Sequence, residues 1–122
     1  MREPSFVKCL NAVSMAATIN SGVPMNMNGY SRASFQTVWT GDGVGVMNFL
    51  VSNQPDAVLN GVVDLTKFKQ LVNPAAFAAQ DPAGTAGGGY YALADLACAF
   101  LLPVYTRSSA GTGVLTVHGA AS

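Results

Sequence analysis

Hydrophobic and polar residues alternate with period two over several short stretches, and glycines and prolines separate these stretches. The clearest is Tyr30 to Thr40, YSRASFQTVWT. In it Ala33, Phe35, Thr37 and Trp39 share one face, while Arg32, Ser34 and Gln36 share the other. Period two is the repeat of a strand with one buried and one wet face. Gly41, Asp42 and Gly43 follow, and then the apolar run Val44 to Ser52. The Asp-Gly step supplies the positive φ of a tight turn, so the two runs are predicted to form a hairpin. Val114 to His118, VLTVH, alternates in the same way after the turn residues Ser108 to Gly113. It is predicted to form a second hairpin with the run Cys98 to Thr106. Pro103 in that run cannot donate to a ladder, which predicts an edge or bulged strand.

The remaining pattern is shorter. Phe6 to Met15 and Ala17 to Asn20 read as strands. Asn60-Gly61 predicts a small hairpin between Ala57–Leu59 and Val62–Leu65. The stretch from Thr66 to Ala79 fits either a short helix around Pro74 to Gln80 or an extended loop. Asp81 to Gly89, DPAGTAGGG, reads as a connector too rich in glycine for regular structure. Short strands punctuated by glycine-rich turns predict an all-β, antiparallel β-sandwich of jelly-roll type. The expected organisation is one domain over 1–122, with an extended N-terminal arm at 1–5. A long irregular Ala/Gly-rich connection forms a flexible loop at 74–89.

Charge changes the picture next. Of 122 residues only 10% are charged; Lys plus Arg is 6, Asp plus Glu is 6, and half the chain is hydrophobic. Zero net charge speaks against nucleic acid and against an anionic membrane surface as partners. High hydrophobicity with low charge speaks against disorder. A freely soluble monomer ordinarily carries more charge, so the composition points to a surface covered by other copies or by a partner. The longest apolar stretch, Leu96 to Leu102, falls far short of the roughly 20 residues of a membrane span. The N-terminal stretch loosely suggests a signal peptide, but Lys8 and Asn11 interrupt its apolar part.

Candidate chemistry is sparse. His118 is the single histidine, and a surface or interface role is expected for it, without a catalytic or zinc-binding one. The acids Glu3, Asp42, Asp56, Asp64, Asp81 and Asp95 are scattered. Asp42 is accounted for by its turn and Asp81 by an Asp-Pro turn. Gly87 to Gly89 lacks the lysine and the strand-to-helix setting of a phosphate loop. Lys67 and Lys69 flank Phe68 as a weak basic and aromatic patch. Cys9 and Cys98 sit in apolar runs, where free cysteine acts as a small hydrophobe, and sequence alone does not pair them. Trp39 is expected in the core with Phe35, and Tyr30 on the opposite, exposed face. No catalytic, cofactor-binding or metal-binding residue is predicted, and no cofactor. The residues singled out as contact candidates are Phe6 next to the arm, the adaptable Met25 and Met27, and the Tyr90–Tyr91 pair.

Two stretches carry a resemblance. Gly29 to Asn53, GYSRASFQTVWTGDGVGVMNFLVSN, resembles a "GYS-x-Q-x-x-W-T-G" strand and turn found in small structural proteins of tailed bacteriophages. Val104 to Val117, VYTRSSAGTGVLTV, resembles the closing segment of the same proteins. The two occur in the same order. The resemblance implies a β-sandwich virion component; separately, the lone His118 and the scattered acids speak against an enzyme. The most direct form of such a component is a capsid decoration (cement) protein that binds the major capsid protein or another virion protein. It would assemble as a homo-oligomer such as a trimer, on the capsid surface. A tail, neck or head-fibre accessory role is the nearest alternative. A carbohydrate-binding module using Tyr30, Tyr90, Tyr91 and Tyr105 is another.

Overall fold

A computed structural model describes residues 3–15, 19–71, 81–82, 87–93, 96–109 and 112–122. The strands are β1 (Ser5–Ser14), β2 (Ile19–Ser21), β3 (Met25–Asn26), β4 (Ala33–Trp39), β5 (Val44–Ser52), β6 (Val58–Leu59), β7 (Val62–Val63), β8 (Lys69–Gln70), β9 (Gly87–Leu93), β10 (Phe100–Ser109) and β11 (Val114–Ala121). A single 3-10 turn, Leu65–Lys67, is the helical element among the described residues. Asp64 caps it by accepting from the Thr66 amide and hydroxyl.

One sheet has the order β1-β11-β4-β9 and the other the order β2-β10-β5-β8, with β3 also on β10. All pairs are antiparallel. Read with β2 and β3 as one broken strand and β6–β7 as an insertion, this is the strand order of a jelly roll. The inner faces meet over Leu10, Phe35, Tyr91, Leu115 and Val117 from the first sheet and Met47, Phe49, Leu101 and Tyr105 from the second. The Phe35 and Phe49 rings meet across the sheets at 4.8 Å. The alternation read in Ala33–Trp39 is the observed one, and Trp39 lies in the core.

The two large predicted hairpins do not form. β4 and β5 lie in different sheets, and so do β10 and β11. Each link is an arch that carries the chain from one sheet to the other. The arches lie side by side and bond to each other. Thr112 donates its amide (2.7 Å) and its hydroxyl (2.9 Å) to Oδ1 of Asp42. The Asp42 amide donates to the Thr112 carbonyl, and the Thr40 amide to the Val114 carbonyl. Gly41 (φ +80°) and Gly113 (φ +112°) make this contact, and a Cβ on Gly113 would lie 1.8 Å from the Thr40 carbonyl oxygen. The small hairpin at Asn60-Gly61 does form, with both residues at positive φ as a two-residue turn requires.

Two further expectations are corrected. β10 is an interior strand, with β5 on one side and β2 and β3 on the other. Leu102 and Pro103 lie opposite the break between β2 and β3, so a residue without an N–H sits where that ladder is already interrupted. At the break the Val23 amide donates instead to the Cys9 carbonyl at 2.8 Å. The glycines Gly87 to Gly89 begin β9 and do not belong to a loop. Gly88 and Gly89 pair with Val38 and Thr37, and a Cβ on Gly88 would come within 2.8 Å of the Thr37 carbonyl oxygen. Ser5 already belongs to β1, which shortens the expected arm to the residues before it. The region expected to hold a short helix or loop, 74–80, lies outside the described residues.

The second sheet is covered on its outer face. The outward side chains Leu102 and Val104 pack with Ala57 and Phe68 into a second, smaller core, supported by Leu50, Val58, Val63 and Phe100. The segment from β6 to the 3-10 turn forms this cover.

Candidate functional site

The outer face of the first sheet carries no such cover among the described residues. Strand register arranges its outward positions in rows. One row reads Phe6, Ala120, Ser34, Ala92, and the next reads Lys8, His118, Gln36, Tyr90. A third contains Thr116, Val38 and Gly88. Phe6 is 78% exposed and Tyr90 60%, with Val38 and Val114 also exposed. Lys8 is the single formal charge in these rows, and none of their positions is acidic. Four strands at about 4.8 Å and seven residues at about 3.3 Å give a face of roughly 20 by 23 Å. Tyr90 stands as a ridge between two shallow grooves. One is lined by Arg32, Ser34 and Ala92, and the other by Gln36, Val38 and Gly88.

The predicted contact residues therefore divide. Phe6 and Tyr90 lie on this one face, at its two edges. Met25, Met27 and Tyr91 are each 1% exposed and belong to the core, so they are not surface contacts. Met25 is drawn in by Gly119, where a Cβ would press on its sulfur at 2.8 Å. Tyr91 points inward from the strand on which Tyr90 points outward. Its ring meets Phe49 edge-on at 5.1 Å, and its hydroxyl donates to Asp81 Oδ1 at 3.2 Å. Asp81 also accepts from the Met47 amide at 3.0 Å, so it ties β9 to β5 at the rim of the core. Burial, with Asp81 as partner, pushes the Tyr91 hydroxyl well above the usual tyrosine range. Tyr105 is also buried, and its hydroxyl has no hydrogen-bond partner among the described residues. Tyr30 is half-buried and donates to the Glu3 carbonyl.

The remaining chemical candidates resolve locally. His118 is exposed in the second row. Phe68 is buried, and Lys67 pairs with Asp56 at 2.5 Å and Asp64 at 3.8 Å, so no basic patch forms there. The hydrogen bond from Lys67 holds Asp56 below the usual carboxylate range; Thr66 does the same for Asp64. The Thr112 amide, then its hydroxyl, hold Asp42 down. Both cysteines are free thiols. Burial pushes Cys9 up to about 12 and also raises Cys98. Among the described residues no three His, Cys, Asp or Glu side chains are placed to share a metal ion.

Sequence reasoning missed a second exposed apolar group. Leu59, Val62 and Leu65 on the small hairpin and beside it, together with Val23, are all largely exposed. A signal existed, because VLNGVV is apolar on both faces of a two-stranded ribbon.

No protein-family model matches the chain, and no curated protein does. Among solved structures the chain is similar to the crystal structure of the SPBc2 prophage-derived protein YomS. That match has 12% identity and a TM-score of 0.47, over 99% of this chain and 96% of that one.

Proposed function

We propose that the protein is a structural assembly component without catalytic activity, and that it serves as a capsid decoration protein of a phage head. The observation that carries this reading is the outer face of the β1-β11-β4-β9 sheet, which no described segment covers, with Phe6, Val38, Tyr90 and Val114 exposed. Its projected area is roughly 450 Å², more than half of the about 800 Å² per partner of a standard interface. The low charge of the whole chain supports the same reading. The phage setting rests on the resemblance of Gly29–Asn53 and Val104–Val117 to phage structural proteins, since a jelly roll by itself hosts many functions. In this role the protein adds buried apolar area across subunit junctions, at about 25 cal/mol per Å², and so resists rupture of the shell.

The test is copy number in purified virions, by quantitative mass spectrometry against the major capsid protein. A simple fraction of the capsid copy number is expected. A handful of copies per particle would move the protein to the tail or neck, and absence would overturn the reading. The Tyr90 ridge between two grooves favours a second reading, a carbohydrate-binding surface. A glycan array tests it, with loss of binding in Tyr90→Ala as its signature.

A further inference from the structure

We infer that Asn60 is a modification site: its side-chain amide is lost spontaneously through a cyclic imide formed with Gly61, ahead of the chain's other Asn-Gly step at Asn28. The site goes beyond the assembly reading above and does not depend on it.

The chemistry follows from the turn. An asparagine Cγ and the next residue's amide nitrogen can close a five-membered ring, and a side chain on that next residue obstructs the approach. Gly61 has none, and a Cβ placed there would meet nothing within 4 Å. Both residues are exposed. The ladder closes between Leu59 and Val62, so the Gly61 amide nitrogen lies in the turn, outside the paired positions. That nitrogen, deprotonated by hydroxide, attacks Asn60 Cγ. The Cγ–Nδ2 bond breaks and Nδ2 leaves as ammonia. Water then opens the imide at either carbonyl. Breaking the bond to Cγ leaves an aspartate. Breaking the bond to the backbone carbonyl leaves an isoaspartate, whose chain runs through Cβ and Cγ. Water enters, ammonia leaves, and nothing is oxidised or reduced.

The fold separates the two Asn-Gly steps. Ring closure requires the asparagine backbone to leave its turn conformation, so the rate follows the ease of local opening. Around Asn28–Gly29 the chain is well held. Met27 is buried in the main core, and its amide donates to the Ala99 carbonyl at 2.8 Å. The Tyr30 amide donates to the Met27 carbonyl, and the Asn28 amide to Oδ1 of Asn26. Asn60–Gly61 instead joins strands of two residues each, which pair with each other and with no further strand among the described residues. A two-stranded ribbon is marginal by itself. Leu59 and Val62 beside the turn are largely exposed, so little burial opposes opening at its tip.

The product alters the hairpin. Isoaspartate lengthens the backbone at the turn, which no longer fits the two-residue register that aligns Val58 with Val63. Those side chains support the small core of Ala57, Phe68, Leu102 and Val104. Either product also places a carboxylate between Leu59 and Val62. With time the apolar tip becomes acidic and the cover of the second sheet loosens.

Peptide mass spectrometry of the full-length protein, aged in mildly alkaline heavy-oxygen water, tests this, with a sample in urea as the unfolded reference. Asn60 is expected to convert within about tenfold of its rate in urea, and Asn28 to fall further behind its own urea rate. The products should carry heavy oxygen, include isoaspartate as well as aspartate, and form faster as pH rises. An Asn60 that stays intact in the folded protein would overturn the inference, and so would earlier conversion at Asn28. Asn60→Gly accepts the turn's positive φ and should fold as wild type by circular dichroism, without conversion at that position. Its urea midpoint should hold on ageing while that of wild type falls. An equal fall in both would overturn the link between this site and the cover.

Discussion

The outer faces of the two sheets are made from strands of similar length and opposite chemistry. On β10 the outward positions are Phe100, Leu102 and Val104, and the chain returns over them with Ala57, Val58, Val63 and Phe68. On β11 and β4 the outward positions are Val114, Thr116, His118, Ser34, Gln36 and Val38, and no described segment returns. A continuous apolar row on an outer face costs solvation unless something covers it, and here the chain supplies its own cover. A mixed row is soluble enough to stay open, yet apolar enough to be worth covering. The difference teaches that apolar content alone does not mark an interaction face. What marks it is apolar content that no described segment covers.

The largest effect is expected on the covered side. Phe68→Ala should cost about 3–5 kcal/mol in urea denaturation, because it empties the small core under the hairpin. A loss under about 1 kcal/mol would mean that the cover packs loosely, and the contrast between the faces would weaken. Gly113→Ala should damage both faces alike, by more than about 1 kcal/mol, since its φ and the Thr40 carbonyl leave no room for a Cβ. A thermal melt reads this directly.

Titration gives two smaller effects. The folded Cys9 thiol is raised from its ordinary 9.0 to about 12, so its contribution to stability is whole below pH 9 and is lost as pH rises toward 12. Cys9→Ala should flatten the alkaline fall of the melting temperature. A thiol reagent should modify half-buried Cys98 in the folded protein and Cys9 only as fast as the protein unfolds. Asp42 works at the other end of the scale. Its folded value is depressed, so its contribution is present above about pH 4 and fades as pH falls below that. Asp42→Asn should make the acid limb of the melting curve shallower. The smallest stability effect is expected on the open face, where Phe6→Ser should change unfolding by less than about 0.5 kcal/mol. It should nonetheless reduce self-association in sedimentation. A stability loss as large as that of Phe68→Ala would show that Phe6 belongs to the fold and not to a contact.

Much of the fold was legible because period-two alternation reports which face of a strand is buried. Phe35, Trp39, Leu115 and Val117 follow from that reading. Partners were not legible. A Gly-Asp-Gly link serves a hairpin and an arch equally well, because both need positive φ, and only contacts some 70 residues away, from Thr112 to Asp42, decide between them. A jelly roll in fact excludes the two large hairpins, since its successive strands at these points belong to opposite sheets. Phe6 is picked out by its place next to the arm and Tyr90 by its aromatic pair, and both are exposed on the open face. Met25, Met27 and Tyr91 were misplaced because adaptability and aromaticity serve a core as well as a contact. Met25 packs in the core against the bare backbone of Gly119, far away in sequence. The hairpin patch is hard to read because Asn60-Gly61 marks a turn, while the two apolar sides of so short a ribbon do not say which one is buried.

The position of β11 has a kinetic consequence. It lies between β1 and β4, so the first sheet joins the first and last of the described strands. No partial chain emerging from a ribosome can complete that sheet before Ala121 is in place. Pairings between such distant segments also slow the search for the native state, to the millisecond-to-second range typical of β-sandwiches. Until then Phe35, Leu10 and their neighbours remain open to water. The first sheet should therefore form late, once β11 is available to join β1 and β4. The protein would turn to assembly only once the strand that separates solvent from core has been laid in.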